Sequence, residues 1–64
     1  MDGFDHSVLR FAVGASVIYD CCPGAENVPC EVVAVEATVG GWMYRVWNDV
    51  LGGTWVFGDQ LRRA

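Results

Sequence analysis

Apolar and polar residues alternate along this chain in short runs, and the runs are divided by breaks rich in glycine, proline and asparagine. That pattern predicts a small all-β domain, since strand side chains point alternately to the two faces of a sheet. The clearest run is Trp42-Met43-Tyr44-Arg45-Val46-Trp47. Trp42, Tyr44 and Val46 share one face and suit a core. Met43, Arg45 and Trp47 share the other, which leaves a tryptophan and a methionine outside it.

Four further strands are predicted. The first covers residues 15–19, with Val17 and Tyr19 on one face. A loop with two prolines, Pro23 and Pro29, covers residues 20–29 and is expected to interrupt any ladder. The second strand covers residues 30–38. Its acids Glu31 and Glu36 fall on opposite faces of a regular strand, so a bend or bulge near Ala34 is expected. Gly40-Gly41 provides a tight hairpin turn, residues 48–53 the next turn, and residues 54–57 the fourth strand. Gly58-Asp59-Gln60 is short enough for a single 3₁₀ turn, and residues 61–63 form a brief fifth strand. Tyr44, Phe57 and either Tyr19 or Trp42 are expected to fill the core. Residues 1–10 carry no such pattern and read as a flexible N-terminal tail, with one helical turn at 7–10; the domain itself is residues 11–64. Together these runs give a five-stranded SH3-like barrel, closed by its last strand.

Composition changes this picture in one respect. Sixty-four residues form one domain, and a chain of that length buries only about 60% of the surface its unfolded form exposes. Yet 53% of the residues are hydrophobic. A core this small does not hold them all, and some are expected to face another chain. The balance of eight Asp and Glu against four Lys and Arg gives a formal net charge of −4, which argues against a nucleic-acid partner. The acidic start and the shortness of the longest apolar stretch, Val32 to Val35, speak against a signal peptide or membrane span. A cytoplasmic protein is expected.

Candidate chemistry is sparse. His6 with Asp5 or Asp2 is the one acid–base pair, and it sits in the tail. Cys21, Cys22 and Cys30 have no base beside them in sequence to lower a thiol pKa. Adjacent Cys21-Cys22 is poor geometry for chelating one ion, so neither a metal nor a cofactor is expected. Whether Cys22 and Cys30 pair is left open by the sequence. The aromatic residues are the informative part: Trp47 and Trp55 are candidates for exposed rings, with Met43, Arg45 and Asp49 beside them, and Trp, Tyr and Arg dominate interface energetics. A second arrangement would draw Tyr19 and Trp42 in with Trp47 and Trp55 as a cage around a cationic group.

The order of residues resembles the SH3-like barrels of the Tudor and KOW type. The likeness lies in Phe11-Ala12-Val13-Gly14-Ala15-Ser16-Val17 as the opening run, Tyr44-Arg45-Val46 as the central strand, and Trp55-Val56-Phe57-Gly58-Asp59-Gln60-Leu61 as the last strand, turn and closing leucine. Similar stand-alone barrels occur among phage and mobile-cassette proteins, and the resemblance implies such an origin. It implies a binding or assembly module: a homo-oligomer, or a partner of a protein or peptide. One enzyme family, the plasmid-borne type II dihydrofolate reductases, has a similar architecture. Aligned on Gly53-Thr54, that family's Val-Gln-Ile-Tyr pore segment falls on Trp55-Val56-Phe57-Gly58, where its glutamine and tyrosine are replaced, and the chain has no lysine for a substrate carboxylate. A non-catalytic protein is the expectation.

Overall fold

In the computed structural model, which describes residues 7–20, 22–24 and 26–64, the chain forms one five-stranded antiparallel sheet. The strands are β1 (Ser16–Tyr19), β2 (Val28–Thr38), β3 (Gly41–Asn48), β4 (Gly52–Phe57) and β5 (Leu61–Arg63). A 3₁₀ turn, Gly58–Gln60, leads into β5. The order across the sheet is β4-β3-β2-β1-β5. No ladder joins β4 to β5 among the described residues, so the sheet is open, and the closure expected from the sequence is not made. It is curled enough to enclose a core and is compatible with a small barrel-like fold.

Period two explains that core. Val17 and Tyr19 of β1, Cys30 and Val32 of β2, Tyr44 and Val46 of β3, Val56 of β4 and Leu61 of β5 are all buried on the inner face. Phe11, just before β1, sets its ring edge-on against Tyr44, with centroids 5.3 Å apart and planes at 85°. The backbone N–H of Arg10 donates to Tyr44 Oη at 2.9 Å, which gives the buried phenol a polar partner. Trp42 is half-buried and packs against this cluster. Phe57 is not part of it. Val56 has turned inward, so its neighbour must face out, paired in register with Met43. Phe11 supplies the third core ring in its stead.

The bulge lies where the two glutamates require it. Val32 pairs with Val46 and Ala34 with Arg45, so Val33 is the extra residue on β2. Before the bulge Cys30 and Val32 point inward; beyond it Val35 does. Glu31 and Glu36 thereby both reach the outer face, opposite Trp47 and Met43. The backbone of Val32 bonds outside the β1 ladder, with Gly14 N–H donating to Val32 O at 2.7 Å and Val32 N–H to Ala15 O at 3.0 Å. The segment before β1 is thus stitched to the sheet at the bulge.

Two strands start two residues earlier than the sequence reading placed them, and β1 differs from it by one residue at one end and β3 by one at each end. β2 starts at Val28, through Pro29, which pairs with Ile18 of β1. The ladder to β3 begins only at Glu31, so Pro29 stands beyond it, where β3 demands no N–H from it. β4 likewise begins at Gly52, whose φ of +75° lets the chain leave the turn. Asn48 holds that turn. Its Oδ1 accepts from Val50 N–H at 2.7 Å, and its Nδ2 donates to Pro29 O at 2.7 Å. The helical turn expected at 7–10 is absent: Ser7 and Val8 form a turn and a bend, and Leu9 and Arg10 have no regular structure.

Candidate functional surface

The outer face of β3 and β4 is built by the same alternation that fills the core. Three rows cross it: Glu36, Met43 and Phe57; Ala34, Arg45 and Trp55; Glu31, Trp47 and Gly53. The sequence-selected residues Met43, Arg45, Trp47 and Trp55 therefore meet on one surface. Asp49 follows in the exposed turn at its end. Trp47 is 46% exposed and Trp55 43%, whereas Met43 and Phe57 are half-buried.

Gly53 shapes the middle of this surface. A Cβ there would lie 2.9 Å from both Nε and a terminal nitrogen of Arg45, so the guanidinium lies across the bare glycine backbone. The charge is held flat on the sheet in the row next to Trp47 and beside Trp55. A shallow groove on the other flank of Trp47 is lined by Pro29, Glu31, Asn48 and Asp49. The surface is thus amphipathic, with two partly exposed indoles, one guanidinium, and carboxylates at its margins. Such a surface can bury apolar area against a partner and fix orientation through charge.

Tyr19 and Trp42 do not join it. Tyr19 belongs to the buried core and Trp42 packs against the core from the inner side. The sheet separates them from Trp47 and Trp55, so the four rings do not line a common cage.

The cysteines divide. Cys22 is exposed and Cys30 is buried under the sheet, and the two do not pair with each other. Burial pushes the Cys30 thiol above its ordinary value by desolvating the thiolate. Cys21, His6, Asp5 and Asp2 lie outside the described residues. Among the described residues no three His, Cys, Asp or Glu side chains gather as a metal would require. No helix among them is long and apolar enough to cross a membrane.

Sequence reasoning missed one feature of this surface, the Arg45–Gly53 contact. It depends on the register between β3 and β4, which pattern alone does not supply. A cluster away from the surface was also unforeseen. Asp20 Oδ1 accepts from Asn27 N–H at 2.8 Å, and Arg62 reaches both Asp20 and the Asn27 amide oxygen, tying these two residues to β5.

Compared with protein-family models, curated proteins and solved structures, the chain matches none.

Proposed function

We propose that this chain is a non-catalytic assembly module of the SH3-like barrel kind, which packs the outer face of β3 and β4 on a second copy of itself. One observation carries the reading: two tryptophans on one face are each more than two-fifths exposed, while the core beneath is complete without them. Indole left in water on a domain of this size is apolar area that association would bury. Met43 and Phe57 extend the patch, and Arg45 supplies the oriented charge that interfaces favour. The comparison with the type II dihydrofolate reductases weighs against an enzyme, because Val56, which stands for that family's pore glutamine, is buried in the core.

Sedimentation and light scattering across a concentration series test the proposal. The wild-type chain is expected to form a dimer or larger species, and Trp47→Asp to shift it to monomer with an unchanged far-ultraviolet spectrum. In the variant a carboxylate would stand opposite Glu31, so repulsion adds to the lost indole area. A clean monomer for the wild type at high concentration would remove the idea.

A further inference from the structure

We infer that a second copy of the chain pairs with the free edge of β4, antiparallel about a two-fold axis near Trp55, so that two sheets join into one. This inference rests on the reading above that the chain self-associates, and it places the contact at the rim of the aromatic surface, where Trp55 and its copy would meet across the new ladder, instead of face on face. Among the described residues the strand order leaves β4 and β5 as the two edges of the sheet, and they are unlike. β5 has three residues, two of them Arg62 and Arg63, and short charged strands of that kind resist pairing. β4 has six residues, with neither a charged side chain nor a proline. Among the described residues its ladder runs to β3, so alternate N–H and C=O groups from Gly52 to Val56 point away from the sheet. An uncharged strand with such a row of groups is a template for another strand.

Area makes the same demand. A stable interface takes roughly 800 Å² from each partner, about a fifth of this chain's 4017 Å² of exposed surface. Trp47 and Trp55 at their observed exposures supply only about 220 Å² together if each residue spans about 250 Å². The rest must come from surface continuous with them. Trp55 stands on β4 itself, so the edge is that continuation.

The second copy is the occupant that fits. β4 meets its own copy without placing like charges opposite one another across the new ladder. Antiparallel pairing of identical strands is two-fold and closes at two chains. The outermost strands of the dimer would then be the two arginine-bearing β5 edges, which do not propagate it.

Hydrogen exchange followed by nuclear magnetic resonance, alongside sedimentation, tests this on the intact chain. In the dimer the β4 amides that point away from β3 should exchange at least tenfold more slowly than in dilute monomer. Thr54→Lys, a charge on the inner side of the edge, should yield monomer with the wild-type spectrum. Because Thr54 is half-buried and that variant can fail to fold, the wild-type exchange pattern decides independently. A dimer that Trp47→Asp dissociates while those amides exchange freely would overturn edge pairing and leave the face reading standing. A monomer at every concentration would overturn both. Protection of the same amides by an added uncharged Thr-Val repeat peptide, in a chain that stays monomeric, would overturn the second copy as occupant.

Discussion

Replacing Phe11 with alanine is the most direct measure of whether the segment ahead of β1 belongs to the folded unit. Phe11 is 8% exposed and stands edge-on to Tyr44. A phenylalanine so placed buries on the order of 180 Å², which at about 25 cal/mol per Å² corresponds to about 4.5 kcal/mol. The unfolded chain already shields part of that area, so about 3–4 kcal/mol is the better expectation. The edge-to-face geometry accounts for roughly 1 kcal/mol of it. Against a total stability of about 3–10 kcal/mol for a domain of this length, the change removes a third of the stability or more. Urea unfolding monitored by tryptophan fluorescence, at one fixed protein concentration, reads the effect as a fall in midpoint at constant slope. Tyr44→Phe is the companion variant. It keeps the ring and strands only the Arg10 N–H, so a loss of about 1–2 kcal/mol is expected. A loss below about 1 kcal/mol for Phe11→Ala, within the range of ordinary surface substitutions, would refute the packing described for this segment.

Other outcomes follow from the same geometry. The raised Cys30 value means that the unfolded thiol ionises first, so its contribution to stability is intact at low pH. That contribution starts to fall near the ordinary value of 9.0 and is gone once pH passes the folded-state value; Cys30→Ala should remove this component of an alkaline denaturation series. In native protein iodoacetamide should modify exposed Cys22 and spare Cys30, with Cys30 labelled as the domain opens. The adjacent glycines of β4 should respond differently to alanine. Gly52→Ala, forced to hold φ at +75°, should lose about 1 kcal/mol, or about 4–8 °C in Tm. Gly53→Ala meets only the flexible end of Arg45 and should change stability by less than about 0.5 kcal/mol, while displacing the guanidinium and weakening self-association.

What the sequence determined is what period two and turn chemistry determine. The five strands, the 3₁₀ turn before the last of them, and the opposite faces of Tyr44 and Trp47 all follow from local rules. Even the bulge was legible, because Glu31 and Glu36 can both reach water only if one residue between them is extra. Tertiary structure decided whatever depends on residues far apart in the chain. Phe11, not Phe57, completes the core, since Val56 had to fill the inward position on β4 and the segment ahead of β1 folds back on Tyr44. Arg45 lies on Gly53 because the register of β3 on β4 puts them in adjacent rows. The sheet stays open, with an uncharged edge at β4, because strand order is a global choice. Alternation says which way a side chain points, whereas register and edges are fixed only when distant strands meet.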